Sequence, residues 1–127
     1  MKLEEYDLRL YGLLRRCLLG DYVSPARDSL TPAMRAGMLH SLSSTRVGRR
    51  CQCGSSFCRS FETLAQNDAG NPLLVIRFHV LGELHVTCDE QGTVYKIQYL
   101  RDERDEDAST RCYALTGDGW EERPIAE

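Results

Sequence analysis

Three short runs, LLVIRFHV (Leu73–Val80), LHVTC (Leu84–Cys88) and TVYKIQYL (Thr93–Leu100), decide the fold of this chain. Each is rich in β-branched and aromatic residues, and a few turn residues separate each from the next, which is the pattern of antiparallel strands. If Leu81-Gly82-Glu83 is a three-residue loop, Val80 pairs with Leu84, Phe78 with Val86 and Ile76 with Cys88, and one face is wholly apolar. A two-residue loop would set Phe78 against His85 and mix the faces. In the same way a four-residue loop over Asp89–Gly92 pairs Cys88 with Thr93, Val86 with Tyr95 and Leu84 with Ile97. Gly92 supplies the positive φ that such a turn needs. The predicted buried face is Leu74, Ile76, Phe78, Val80, Leu84, Val86, Cys88, Tyr95, Ile97 and Tyr99.

A sheet with one apolar face requires a cover, and the residues before it supply one. Leu3, Tyr6, Leu10, Leu13, Leu14, Cys17 and Leu18 recur at helical spacing over residues 3–19, with Glu4, Glu5, Arg9 and Arg16 on the other side. Gly20 stands where a helix C-terminus favours glycine. Thr31-Pro32 is a cap followed by a proline at the first helical position, and Met34, Met38, Leu39 and Leu42 give this second helix its stripe. The expected fold is α+β: two N-terminal helices packed on an antiparallel meander sheet of about four to six strands. The 127 residues read as a single domain, helical over 1–45, β over 46–100, with an acidic segment and C-terminal tail over 101–127. Within that tail, Thr116-Gly117-Asp118-Gly119 marks a turn that allows either a last hairpin or a loosely ordered tail.

Hydrophobic residues make up 42% and charged residues 28%, an ordinary globular composition. No stretch approaches membrane-spanning length, and the charged N-terminus does not read as an export signal. The expected location is cytoplasmic, where the six cysteines stand as thiols or metal ligands. Net charge is −3, unevenly spread: residues 1–63 carry ten Lys/Arg against six Asp/Glu, and residues 64–127 carry six against thirteen. Asp102, Glu103, Asp105, Glu106 and Asp107 concentrate the acidic half and suit steering of a partner protein.

The chemistry-bearing segment is Cys51-Gln52-Cys53-Gly54-Ser55-Ser56-Phe57-Cys58. Val47–Cys53 and Phe57–Leu64 form a hairpin around Gly54-Ser55-Ser56, and if Gly54–Phe57 is a four-residue loop, Cys53 faces Cys58 with Cys51 two residues along on the same side. Three thiols then converge, which is most of a zinc site. A fourth ligand would come from Cys88, Cys112, His79 or His85. The alternative is that these cysteines fill space as small hydrophobes. Arg50-Cys51-Gln52-Cys53-Gly54, followed by Cys58, Ser60 and Phe61, resembles the Cys-x-Cys-Gly…Cys-x-Ser-Phe segment of small uncharacterised bacterial proteins, over residues 46–100. That resemblance implies a hairpin after N-terminal helices and no particular activity. It extends to cargo of polymorphic-toxin neighbourhoods, where small domains serve as immunity proteins.

The loop that sorts the core also sets His79 opposite His85 on the outer face, a geometry for a shared metal or proton. Arg46, Arg49, Arg50 and Arg59 cluster around the cysteine hairpin, as phosphate contacts do. No nucleotide loop, nucleophile elbow or His-Glu-x-x-His is present. The chain therefore reads as a non-enzymatic protein-binding module, most concretely an immunity or antitoxin inhibitor of a bacterial toxin, engaging its partner through the acidic run, His79 and His85. The alternative reading is a zinc-stabilised domain that binds nucleic acid or assists transcription, with zinc on Cys51, Cys53 and Cys58.

Overall fold

The computed structural model describes residues 1–19, 30–55, 58–78 and 80–102, and the backbone alone of 111–116 and 119–124. Three helices, α1 (Leu3–Tyr6), α2 (Leu8–Leu19) and α3 (Pro32–Leu42), precede five strands: β1 (Val47–Arg50), β2 (Phe61–Thr63), β3 (Leu74–Phe78), β4 (Gly82–Cys88) and β5 (Val94–Arg101). These strands form one antiparallel sheet in the order β1-β2-β5-β4-β3. Strands β6 (Arg111–Thr116) and β7 (Gly119–Pro124) form a separate hairpin, which is the last hairpin that the sequence allows. The α+β expectation holds. The sheet is a meander over β3, β4 and β5, and β2 adds on the far side of β5.

The N-terminal helix is not continuous. Asp7 leaves the helical path (φ −155°, ψ 92°) and caps α2, its Oδ1 accepting from the Leu10 N–H at 3.0 Å. At the other end Arg35 donates to the Leu18 carbonyl at 2.6 Å and satisfies an orphaned group of the last turn. The Gly20 cap lies outside the described residues. Helix α3 begins as its sequence dictates: Thr31 Oγ1 accepts from the Met34 N–H at 3.2 Å, and Pro32 opens the first turn.

Both helices and the sheet share one core, in which Leu10, Leu13, Leu14, Leu18, Met34, Met38 and Leu42 meet Ile76, Leu84, Val86 and Ile97. The closest approach falls at α3 and the β4–β5 turn. A Cβ on Gly37 would overlap the Gln91 carbonyl oxygen, and one on Gly92 (φ +87°) would come 2.5 Å from the Met34 carbonyl. Two glycines thus let the helix lie directly on the turn.

The pairing differs from the expected registers by two residues or fewer, and the faces largely survive. Ile76 pairs with Val86 and Phe78 with Leu84, so the β3–β4 connection is longer than three residues. Val80 and Leu81 tuck into the core within that connection, buried to 3% and 5% exposure, and their burial replaces the expected Val80–Leu84 pair. Between β4 and β5, Val86 pairs with Ile97 and Leu84 with Tyr99. The turn closes on Asp89 and Thr93, with Asp89 N–H donating to Thr93 O at 3.1 Å, which leaves a three-residue loop ending in Gly92. A bulge then shifts the register between Thr87 and Cys88, so Val94 faces the core and Tyr95 does not. Tyr95 donates instead to Asp89 Oδ2 at 2.9 Å. Leu74 is the other correction: it lies on the core side of an edge strand, yet it is 37% exposed.

Candidate metal centre

The cysteine hairpin forms as expected, with shorter strands. Val47 pairs with Thr63 and Arg50 with Phe61 across a register shift, and the Cys51 N–H donates to the Ser60 carbonyl at 2.9 Å. Beyond these pairs the chain reverses through Gly54, whose φ of +79° favours glycine. The Sγ atoms of Cys51, Cys53 and Cys58 converge at this tip and all lie within 4.8 Å of one another. A tetrahedral zinc with Zn–S bonds of about 2.3 Å requires sulfurs roughly 3.8 Å apart. Small rotamer changes would therefore let the cluster hold an ion. Cys51 and Cys53 are exposed and Cys58 is half-buried, so the packed-thiol alternative does not describe these three. It does describe Cys17 and Cys88, which are buried.

The thiols differ in acidity. Ser60 lowers Cys58 to about 7: its hydroxyl lies 3.4 Å from Cys58 Sγ, and its backbone N–H adds to that effect against the cost of burial. The Cys58 thiol donates to Ser60 Oγ, and once ionised it accepts from the same hydroxyl. Ser60 Oγ in turn accepts from the Tyr99 N–H at 3.0 Å, which fixes its position. Cys53 is raised: a backbone hydrogen bond at Ser55 favours its thiolate, but the bonds to Cys51 and Cys58 outweigh it. Burial, then the Asp89 carboxylate, pushes Cys88 up to about 11, which marks it as an inert core thiol and no ligand.

Among the described residues, no fourth His, Cys, Asp or Glu joins the cluster. His85 lies on β4 and is not part of the cluster, and its cross-strand partner on β3 is Arg77, not His79. The expected His79–His85 pair follows from a register the sheet does not adopt, and His79 itself lies outside the described residues. So do the Cys112 side chain and, of the acidic run, Glu103, Asp105, Glu106 and Asp107. Asp102 is described and half-buried.

The arginines divide. Arg50 and Arg59 place their guanidinium carbons 5.1 and 5.3 Å from the Tyr6 ring centroid, and Arg59 Nε also pairs with Asp7 Oδ2 at 3.2 Å. Tyr6 in turn meets Phe61 edge-on, with centroids 5.2 Å apart. Arg46 sits at the start of β1, bridged to Lys2. Arg49 and Arg50 line a cleft of about 470 Å³ that runs from Cys51 and Cys58 to Lys96 and Gln98 on β5. Sequence reasoning missed Ser60, Tyr6, Lys96 and Gln98. Lys96 joins the hairpin only because β2 pairs with β5, Glu62 against Lys96, and no local pattern announces a pairing across 34 residues. No protein-family model, curated protein or solved structure matches the chain. No helix among the described residues is long and apolar enough to cross a membrane.

Proposed function

We propose that this protein is a metal-thiolate module, in which Cys51, Cys53 and Cys58 hold one zinc-type ion that orders the β1–β2 tip as a binding surface. The observation that carries the reading is the convergence of three thiols within 4.8 Å on an exposed turn. Soft thiolate donors select zinc or copper(I) over magnesium or calcium. The metal here would replace the hydrophobic contacts that a short, solvated tip lacks, as structural zinc does in other small motifs. Arg50, held on Tyr6, lines the same cleft as Cys51 and Cys58 and would offset part of the charge that three thiolates bring.

Elemental analysis of protein purified without chelator tests this. About one zinc per chain is expected, lost on replacing Cys51, Cys53 and Cys58 by Ser. A metal-free chain with all thiols titratable would overturn it.

A second reading, protein binding, has its own observation. Strand β3 is an edge of the sheet and exposes Leu74 and Val75 at 37% and 56%, with Leu73 just before it at 49%. An apolar edge of this kind is a template for strand addition by another chain. The toxin-inhibitor version of that reading needs the acidic run at 102–107, of which only Asp102 is described.

A further inference from the structure

The cleft beside the thiols is not needed to hold a metal, and its charge points to a ligand of its own. Cys51 and Cys58 form one end of it, and three cations, Arg49, Arg50 and Lys96, line the rest with a single carboxylate, Glu62. The cations exceed the carboxylate by two charges (3 − 1 = 2). Cys53 does not line the cleft, so the three sulfurs form a cap with two of them on the cleft wall. A zinc ion on three ligands keeps a fourth position for an exogenous group. Among the described residues no side chain of the ligating kinds fills it.

Charge decides what enters. Zinc with three thiolates has a net charge of −1, and an anionic fourth ligand makes it more negative. Nearby cations stabilise such a complex, and this cleft provides them. Its volume, about 470 Å³, is that of a small-molecule site. We infer that the cleft is an oxyanion-binding site, in which an oxygen of a phosphate or carboxylate group completes the coordination of the metal on Cys51, Cys53 and Cys58 while Arg49 and Lys96 neutralise the remaining charge. The inference rests on the metal-thiolate reading. No bond of the ligand is made or broken except to the metal. A guanidinium fork and an ammonium recognise either oxyanion, phosphate more strongly because it brings more charge.

Cobalt(II) in place of zinc separates the two readings. Addition of cobalt to the full chain produces a thiolate-to-cobalt charge-transfer band if the three cysteines bind. Inorganic phosphate and acetate are then titrated in separate arms at saturating cobalt, and the ligand-field bands report the fourth ligand. A saturable shift with either anion is expected, and the arm that responds identifies the group. Arg49→Ala and Lys96→Ala should each weaken that response about tenfold, the worth of one charge-assisted hydrogen bond. A charge-transfer band with ligand-field bands that neither anion moves, or a midpoint unchanged in both variants, overturns the oxyanion site and leaves the metal reading standing. Absence of the charge-transfer band overturns both.

Discussion

Cys58 separates itself from the other thiols through one neighbour. Ser60, two residues on, hydrogen-bonds its sulfur and is itself pinned by the Tyr99 N–H, so the thiolate has a donor already in place. With Cys58 lowered to about 7, the metal-free protein should react with iodoacetamide first at Cys58, and the rate should rise through a midpoint near pH 7. Ser60→Ala should move that midpoint up towards the ordinary thiol range, read by mass spectrometry of the labelled peptide. An unmoved midpoint would assign the acidity to another cause. The same protonation opposes metal binding, so affinity for zinc should fall as pH drops, and more steeply below about 7 where Cys58 also takes up its proton. The three converging thiols were legible in the sequence, because a four-residue loop over residues 54–57 puts Cys51, Cys53 and Cys58 on one side of the hairpin. Ser60 was not, since its role depends on a backbone group of β5 that only the folded sheet brings near.

At the scale of elements, the β4–β5 turn holds α3 on the sheet, and Asp89 holds the turn. Its carboxylate is buried yet accepts from the Gln91 and Thr93 N–H groups and the Tyr95 hydroxyl at 2.9, 3.0 and 2.9 Å. Desolvation alone would raise its pKa. The Thr93 N–H, the Tyr95 hydroxyl and the Gln91 and Gly92 N–H groups outweigh it, and the net shift is downward. A carboxyl depressed in the folded state stabilises fully above its unfolded value of about 3.9, and that contribution disappears as pH falls through the folded value. Asp89→Ala should therefore cost about 3 kcal/mol in urea unfolding at pH 7, because three donors lose their acceptor, and the gap to wild type should narrow below about pH 4. A gap that stays constant with pH would sink this account. Sequence pattern found the turn and its Gly92, yet missed the bulge that exchanges Val94 for Tyr95. The alternation of two apolar neighbours, Val94 and Tyr95, fits either face. The choice falls to a buried carboxylate that can bind the tyrosine hydroxyl and cannot bind valine. Asp7 made the same kind of difference in the first helix, where its cap outweighed an uninterrupted apolar stripe.

At the scale of the whole molecule, the two edges of the five-stranded sheet differ in charge. Strand β1, at one end, is short and ends in Arg49 and Arg50, charges that discourage strand addition. Strand β3, at the other end, carries a single charge, Arg77, and exposes Leu74 and Val75, with Leu73 exposed just before it. Charge on an edge strand is the usual guard against pairing, and β3 has least of it where its apolar residues are most exposed. Val75→Lys places a charge on the outer face of that edge, opposite Thr87 and away from the core. The native fold should survive it, with thermal unfolding within about 0.5 kcal/mol of wild type, as for a surface substitution. If β3 is a docking edge, the wild-type chain should self-associate at high concentration in sedimentation, by antiparallel pairing of two β3 strands, and Val75→Lys should remain monomeric. The thiol tip lies at the other end of the sheet, beyond β1 and β2, so the variant should keep its metal content. Equal association of the two proteins would show that the exposed leucines and valine are only the uncovered margin of the core, and would leave the thiol tip as the surface through which this chain acts.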